Sequence, residues 1–270
     1  MHANPGYYQA LCDLEMNYPN PDFQQVEIDV KRTFPHVKDL SIRETAERKL
    51  SHILLAFVKR NPKVGYFQGM NFIAAQLSIV MDEEEAFWTL CQIIESYFPL
   101  DYFANFCGVL VDQKVFCHLL QQRLPDLAAH FEDLGFNSEL LTFAWFVQMF
   151  VNKMPFETVQ VVWDLFFLKG VKVLIRVALT VFSILQQDCL DFDRFDHVMM
   201  HVQEFIQVEL TPESLLSNFT PDIPRKDFRH YRDIYTVDIM RQIKHQIAQD
   251  RSKQVQQEEA QHNFIQNFFA

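Results

Sequence analysis

The clearest pattern along the chain is a recurrence of apolar residues at helical spacing. Between residues 42 and 57, one face of a helix would collect Ile42, Ala46, Leu50, Ile53, Leu54 and Phe57. Just before this face, Ser41-Ile42-Arg43-Glu44 fits a capping box, in which the Ser41 hydroxyl and the Glu44 carboxylate satisfy free backbone amides. The pattern therefore predicts a helix capped by Ser41.

Similar patterns predict helices along most of the remaining chain. Asp82 is a second cap candidate, followed by Glu83, Glu84 and Glu85 near the positive end of the helix dipole, and this helix is expected to end near Pro99. Thr211-Pro212 predicts another short helix with proline in its first turn. Further helices are predicted at about 125–134, 139–152, 155–168, 172–187 and 193–207.

Signals for β-structure are missing from the sequence. No Asn-Gly or Asp-Gly pair, the dipeptides typical of tight hairpins, occurs in the chain. The sequence predicts an all-α fold, with about a dozen helices stacked in an irregular bundle and no significant β-sheet.

Proline content indicates where the chain divides. The segment 220–227, TPDIPRKD, has two prolines and is the best linker candidate, and residues 228–262 are polar enough for an exposed helix. We therefore predict a main domain at 1–220. Residues 221–270 would form a linker and a polar helical region, either separate from that domain or its last part.

Composition and charge narrow the possible functions. The chain has 270 residues, of which 49% are hydrophobic and 27 are phenylalanine, so it can bury a substantial core. Its formal net charge of −11 argues against nucleic acid as the main partner. Five irregularly spaced cysteines are typical of reduced, mostly buried thiols in an intracellular protein. No signal peptide is evident, and the apolar segment at 171–185 is too short and too charged to span a bilayer.

Common catalytic and metal motifs are missing from the sequence. It has no GxxxxGK[ST] loop for a nucleotide phosphate and no GxSxG serine elbow. His197 and His201 share a helical spacing used by zinc ligands, but no third ligand is evident, so we predict no metal site. The acidic segment 191–196 lacks the glycine and final glutamate of a calcium loop and is expected to form a turn and a helix start.

The segment VEIDVKRTFP at 26–35 contains a first candidate site. Asp29 and Arg32 are three residues apart, which on a helix lets the carboxylate hold the guanidinium in a fixed direction. Pro35 would end the helix, so that Arg32 could project into a partner. An ordinary surface ion pair is the alternative interpretation.

The segment VGYFQGMN at 64–71 contains a second candidate site. Gly65 and Gly69 flank Tyr66-Phe67-Gln68 and let the backbone bend sharply or approach another molecule closely. The Gln68 amide offers a donor and an acceptor, which suits the positioning of a water molecule. Alternatively, Gln68 could cap the helix that follows.

Together, these segments resemble the TBC domain, the catalytic module of GTPase-activating proteins for Rab GTPases. Its first signature, I-x-x-D-x-x-R-T-x-P, is matched with valine for isoleucine by Val26, Asp29, Arg32, Thr33 and Pro35. Its second, Y-x-Q-G-M-N, is matched by Tyr66, Gln68, Gly69, Met70 and Asn71. Its third, W-D-x-F followed by glycine, is matched by Trp163, Asp164, Phe166 and Gly170. The resemblance covers about residues 7–220.

The resemblance implies a role for each matched residue. Arg32 would be an arginine finger and Gln68 a glutamine finger, both inserted beside the nucleotide of the Rab. Asp29 would orient Arg32, and Tyr66 would shape the loop or touch the Rab. Thr33, Pro35 and Gly69 are expected to support the site or contact the Rab, while Met70 and Asn71 fix the start of the next helix. Trp163 is expected in the core, with Asp164 and Gly170 as structural residues.

The resemblance also implies a partner and a setting. The partner would be a GTP-bound Rab-family GTPase, which brings its own GTP and Mg²⁺, so that the chain needs no cofactor. Membrane contact would come through the lipid-anchored Rab, giving a cytoplasmic protein recruited to endomembranes in vesicle trafficking.

Three departures from the family pattern leave alternatives open. Val161 stands where the family usually has arginine, and Phe67 where it commonly has cysteine. The helices and the tryptophan-glycine segment that the family places ahead of Tyr7-Tyr8 are not found, so the chain is expected to be truncated or one piece of a longer protein. A Rab-binding or scaffolding module without useful catalysis is therefore an alternative. Another is an adaptor that recruits a partner through residues 228–262.

Overall fold

The computed structural model describes residues 4–14, 20–35, 37–99 and 101–268, with residues 247–268 described through the backbone alone. Helices account for the regular structure of these residues, and no strand occurs among them, which confirms the predicted all-α fold. The helices are α1 Tyr7–Asp13, α2 Pro21–Thr33, α3 Leu40–Arg60, α4 Met70–Val80, α5 Glu83–Gln92, α6 Asp101–Ala104, α7 Cys107–Arg123, α8 Pro125–Asp133, α9 Glu139–Val147, α10 Phe156–Lys169, α11 Lys172–Ile184, α12 Gln186–Asp191, α13 Phe195–Glu204, α14 Pro212–Ser217 and α15 Arg225–Phe268. Short π-helical turns extend α5 over Ile93–Tyr97 and α13 over Phe205–Glu209.

The helices pack in two neighbouring groups around a main hydrophobic core, and a small second cluster lies between α7 and α15. In the first group, α2, α4 and α5 pack against α3. In the second, α7 lies at the centre and contacts α6, α8, α9, α11 and α15. Aromatic side chains fill the middle of the second group, where the Phe182 ring contacts Phe116, Phe131 and Trp145 at centroid distances of 5.6–5.8 Å. The large phenylalanine content therefore serves the core.

Two of the three predicted helix caps are correct. Asp82 and Glu85 form a capping box at the start of α5, and the Thr211 side chain accepts a hydrogen bond from the Ser214 amide at the start of α14. The capping box at Ser41 is wrong. Asp39 caps α3 instead, because its Oδ1 accepts hydrogen bonds from the backbone amides of both Ser41 and Ile42.

Other helix predictions differ from the structure mainly at their ends. The helix predicted at 139–152 ends at Val147 because Met149 and Phe150 adopt positive φ angles of 48° and 63°. The helix predicted at 172–187 is divided at Leu185 into α11 and α12. Ile42, expected on the buried face of α3, is exposed. The acidic segment 191–196 does form the end of α12, a bend and the start of α13.

The proline-containing segment before α15 is fixed to the domain. Arg176 of α11 donates two hydrogen bonds to the Thr220 carbonyl, and Lys172 pairs with Asp222 at 2.9 Å. Ile223 is buried in the main core. The division of the chain at residue 220 stays a prediction, but these contacts join the segment firmly to α11.

The cysteines and the longest apolar helices agree with the sequence-based picture. The five cysteines are reduced thiols, with Cys91, Cys107 and Cys189 buried and the other two half-buried. Within the described part of the chain, no helix combines the length and the apolarity needed to cross a bilayer.

Candidate functional site

The centre of the candidate site is the buried carboxylate of Asp29 on α2. Asp29 Oδ1 accepts a hydrogen bond from Gln25 Nε2 at 2.9 Å and pairs with Arg32 Nη2 at 2.7 Å. Its Oδ2 accepts a hydrogen bond from the Tyr66 hydroxyl at 2.7 Å. A buried carboxylate is costly without such partners, so the three donors fix its position. The predicted pairing of Asp29 with Arg32 is confirmed.

Arg32 lies at the boundary between this network and solvent. It is in the last turn of α2, which ends at Thr33, ahead of Pro35 as predicted. The Arg32 side chain is 47% exposed, while that of Asp29 is fully buried. One end of the guanidinium is therefore held by the protein, and the remaining donors are available to a ligand outside.

Tyr66 joins α2 to the loop that carries Gln68. Burial, reinforced by its hydrogen bond to the Asp29 carboxylate, raises the pKa of the Tyr66 hydroxyl well above its usual value. The hydroxyl therefore stays protonated and donates to Asp29 throughout the physiological pH range. Of the two roles considered for Tyr66, the structure supports the shaping of the loop.

The start of the loop is held by Asp22, a residue that the sequence analysis did not identify. Asp22 Oδ2 accepts a hydrogen bond from the Tyr66 amide at 3.1 Å. Gly65 has a φ of +64°, and a Cβ built on it would lie 2.6 Å from the same oxygen. The loop therefore needs glycine at position 65, both for its backbone angle and for the close approach of Asp22.

The end of the loop is tied to α2 by Asn71 and Thr33. The buried Asn71 donates from Nδ2 to Thr33 Oγ1 at 2.8 Å, and the Thr33 hydroxyl donates to the Asp29 carbonyl at 2.6 Å. Met70 precedes Asn71 in the first turn of α4 and is fully buried. The two residues thus fix the start of α4, as predicted, and Asn71 also fixes it against α2.

Between these ties, the Phe67 side chain is buried in the protein and the Gln68 side chain is exposed to solvent. The buried Phe67 ring stacks on Phe103, with centroids 4.3 Å apart and planes within 4° of parallel. Gln68, the next residue, is exposed and lines an open groove of about 430 Å³ between the loop and α9. Gln68 does not cap α4, because the N-cap residue is Gly69 and no side chain caps that helix.

The third motif supports the loop from the other side. Trp163 Nε1 donates to the Met149 carbonyl at 3.0 Å, within the turn of positive φ angles that follows α9. This turn begins beside Gly69, where an added Cβ would meet Gln148 Cγ at 3.1 Å. Trp163 is buried, as predicted, and its indole holds in place the segment on which the loop rests.

Comparison with known proteins identifies the family. The model of the Rab-GTPase-TBC domain matches residues 6–190 of this chain. The chain belongs to this TBC family. Human TBC1 domain family member 2B is 34% identical over 235 residues, which cover 86% of this chain and 24% of that protein. Human growth hormone-regulated TBC protein 1 is 39% identical over 186 residues, which cover 67% of this chain and 54% of that protein. The chain thus spans about a quarter of the first relative and half of the second.

Solved structures show the same fold. The Chlamydomonas flagellar RabGAP TBC domain aligns with a TM-score of 0.71 at 24% identity, covering 82% of this chain and 73% of that one. The Ypt/Rab-GAP domain of Gyp1p aligns with a TM-score of 0.66 at 18% identity, covering 85% and 79%. The TBC fold is therefore shared despite low sequence identity.

The remaining residues of the third motif differ in how they contribute to the TBC fold. Gly170 ends α10 with a φ of 78°, and Phe166 is fully buried. Asp164, expected to be structural, is instead exposed and makes no hydrogen bond or ion pair within the described residues. Val161, three residues earlier on the same helix, packs against the core and offers no charge to Asp164.

Sequence reasoning missed Asp22 and Gln148. An acidic residue in the first turn of a helix is ordinarily explained by the helix dipole, and no pattern linked Asp22 to an amide 44 residues away. Gln148 lies in an apolar helical segment and had no recognisable motif. Among the described residues, no cluster of three or more histidine, cysteine or acidic side chains could hold a metal ion.

Proposed function

We propose that this TBC domain is a GTPase-activating protein for a GTP-bound Rab-family GTPase, and that it supplies Arg32 and Gln68 in trans. The observation that carries this proposal is the link between the two residues. Asp29 orients Arg32 on one side and holds Tyr66, two residues before Gln68, on the other. Both Arg32 and Gln68 remain exposed, so a partner can reach them together.

Arg32 would stabilise negative charge in the transition state. Transfer of the γ-phosphoryl group spreads charge over its oxygens and over the oxygen that leaves, and a guanidinium held nearby offsets this charge without reorganising. An arginine finger is typically worth about 10³–10⁵ in rate, or roughly 4–7 kcal/mol of barrier. The pairing with buried Asp29 supports this role, because it fixes the direction of the guanidinium before the partner binds.

Gln68 would position the attacking water. Its amide oxygen can accept a hydrogen bond from that water, and its amide NH₂ group can donate to the phosphate side. The ties at Asp22, Asn71 and Phe67 support this role, since they restrict the loop to one shape. GTP and Mg²⁺ would both belong to the Rab.

The proposed partner also suggests where the domain acts. A Rab is held at membranes by its lipid anchor, so we place this domain in the cytoplasm, recruited to the endomembranes that carry its Rab during vesicle trafficking.

Phosphate release from a panel of GTP-loaded Rabs tests the proposal. The chain should accelerate hydrolysis by one or a few Rabs, Arg32→Ala should lose about 10³-fold or more of this acceleration, and Gln68→Ala should lose most of it. Arg194→Ala and Gln187→Ala are matched controls, since Arg194 is an exposed arginine paired with an aspartate and Gln187 is an exposed glutamine on α12. Both controls should keep full activity.

Two results would contradict the proposal. Full activity in both finger variants would exclude the dual-finger mechanism. Tight binding of a GTP-loaded Rab by the folded chain, without acceleration, would instead support the binding-module alternative. Two features favour that alternative: Val161 stands where the family usually has arginine, and Asp164 is unpaired within the described residues.

A further inference from the structure

A buried charge lies where the long C-terminal helix packs on the domain. Asp112, in the middle of α7, is 1% exposed, and Arg232 of α15 places its Nε 3.1 Å from Asp112 Oδ1. Burial raises the pKa of the Asp112 carboxyl to about 6, and the Arg232 guanidinium opposes this rise. Among the described residues, Arg232 provides the countercharge at ion-pair distance from Asp112.

The fully buried Tyr102 connects this charge to helix α6. Burial is the main cause that raises the pKa of the Tyr102 hydroxyl, and the negative charge of the nearby Asp112 raises it further. Its backbone and ring also touch the start of α7, where a Cβ on Gly108 would lie 2.7 Å from Tyr102 Cδ2 and 2.9 Å from its Cα. Helix α6 is therefore packed tightly against the start of α7, one helical turn before Asp112.

Helix α6 in turn supports the loop that carries Gln68. Tyr102 is followed by Phe103, whose ring lies parallel to that of Phe67 at 4.3 Å. Phe67 precedes Gln68 directly. Contacts thus run from Arg232 to Asp112 on α7, from the start of α7 to Tyr102 of α6, and from Phe103 to the glutamine loop.

From these contacts, we propose that Arg232 is a positioning residue for the Gln68 loop, so that docking of the C-terminal helix α15 on α7 controls the readiness of the site. The role in hydrolysis rests on the proposed function. Without the guanidinium, the carboxylate of Asp112 would be buried with no countercharge. At a pH where the carboxyl stays ionised, relief of that cost moves α6 or admits water beside Tyr102, and Phe103 then no longer holds Phe67 in place.

The packing of α15 agrees with this role for Arg232. The helix that follows the proline segment has a polar sequence, but Tyr231, Tyr235 and Ile239 pack against the domain on the same side as Arg232. The Tyr235 hydroxyl lies 3.2 Å from His118 Nδ1 of α7. The first turns of α15 are therefore part of the TBC domain's packing.

Four variants of the full chain test the proposal by hydrogen exchange and by hydrolysis. Arg232→Met keeps much of the side chain's bulk and should speed amide exchange in residues 64–71, while the hydrolysis rate at saturating protein falls about 10-fold and affinity for the Rab changes little. Arg232→Lys should restore most of both properties. Asp112→Asn alone should behave much like wild type. The double variant, Arg232→Met with Asp112→Asn, should show amide exchange in residues 64–71 and Rab GTP hydrolysis close to the wild-type rates.

The outcomes separate this inference from the proposed function. Wild-type exchange in Arg232→Met, or a double variant no better than the single one, would overturn the positioning role. Hydrogen exchange decides this even if the wild-type chain accelerates no Rab, a result that would count against the proposed function alone. A loss of affinity with an unchanged rate at saturation would also overturn the inference, since it would place Arg232 at the partner surface.

Discussion

The Arg32 guanidinium and the Asp29 carboxylate lie 2.7 Å apart, with Asp29 fully buried and Arg32 half in solvent. The same carboxylate holds Tyr66 through its second oxygen. One buried group therefore fixes both an exposed cation and the loop that contains an exposed amide. This arrangement ties an exposed side chain of α2 and the loop before α4 to one buried group, without a direct bond between Arg32 and Gln68.

Substitution of Asp29 by asparagine should reduce catalysis more than binding. The amide has nearly the same shape but no negative charge, so Arg32 loses its charge partner and becomes free to adopt other rotamers. We expect the hydrolysis rate of the cognate Rab at saturating protein to fall about 10–100-fold. Single-turnover phosphate release measures this rate, and a titration measures affinity.

Asp196→Asn is the matched control for that experiment. Asp196 pairs with exposed Arg194 at 2.8 Å at the start of α13. Its substitution therefore also breaks an arginine–aspartate pair, but one that lies on the surface and away from the candidate site. The control should retain the wild-type rate. An Asp29→Asn rate equal to that of the control would show that the pair is an ordinary surface ion pair, the alternative considered from the sequence.

Two glycines with the same φ angle allow the cost of backbone strain to be distinguished from the cost of a close contact in the loop. Gly65 and Gly135 both have a φ of +64°, but a Cβ at Gly135 would meet nothing within 4 Å, whereas one at Gly65 would displace Asp22 Oδ2. Gly135→Ala should lower the free energy of unfolding by about 1–2 kcal/mol, because alanine is strained in the left-handed backbone conformation. Gly65→Ala should cost about 1 kcal/mol more, because displaced Asp22 releases the Tyr66 amide.

Urea denaturation of both alanine variants measures the difference in the free energy of unfolding. Equal losses would mean that Asp22 moves aside without cost and does not hold the loop. Gly65→Ala should also lower the rate of Rab hydrolysis, while Gly135→Ala, at the end of α8, should leave it unchanged.

Removal of the indole N–H of Trp163 should destabilise the turn beneath Gly69. In Trp163→Phe the carbonyl of Met149, a residue with positive φ, loses its donor in a buried position, at an expected cost of about 1–3 kcal/mol. Trp88→Phe is the control, because Trp88 donates to Glu84 at 3.2 Å on the surface and should cost less. Thermal unfolding compares them, and similar losses would argue against a supporting role for Trp163.

Contacts between residues that are close in the chain are the ones that a single sequence can predict. Helix faces, the Asp82 cap and the Asp29–Arg32 pair depend on residues three or four positions apart, and the sequence displays them directly. Asp39 and Ser41 are both good cap residues, so local preference could not decide between them. The ties from Asp22 to Tyr66 and from Asp112 to Arg232 join distant segments, and their residue types occur equally often on ordinary surfaces.

The family signatures explain why the candidate site was found while its supports were missed. Arg32, Gln68 and Trp163 are in motifs with recognisable spacing. Asp22, Gln148 and Arg232 act through contacts that exist only after α2, α9 and α15 have packed against their neighbours. The resemblance therefore supplied the exposed Arg32 and Gln68 and the buried Trp163, and the structure adds the residues that hold their segments.

The buried Asp112 predicts a specific dependence of stability on pH. The folded chain raises the pKa of this carboxyl from 3.8 to about 6, so between about pH 4 and 6 the folded state binds more protons than the unfolded state. This group's contribution to stability therefore falls as the pH rises through that range and is level above it. Asp112→Asn lacks the contribution, so the unfolding free energy of wild type minus that of the variant should decrease by about 2 kcal/mol from pH 4 to pH 7.

Denaturant unfolding of both chains across this pH range measures the difference, in which the titration of the other side chains cancels. Arg232→Met provides the control, because loss of the guanidinium that lowers the Asp112 pKa should extend the decrease to higher pH. A difference that is constant with pH would mean that Asp112 is ionised as easily in the folded chain as in the unfolded one. In that case α15 would pack on α7 without balancing a buried charge, and the connection between this helix and the Gln68 loop would lose its physical basis.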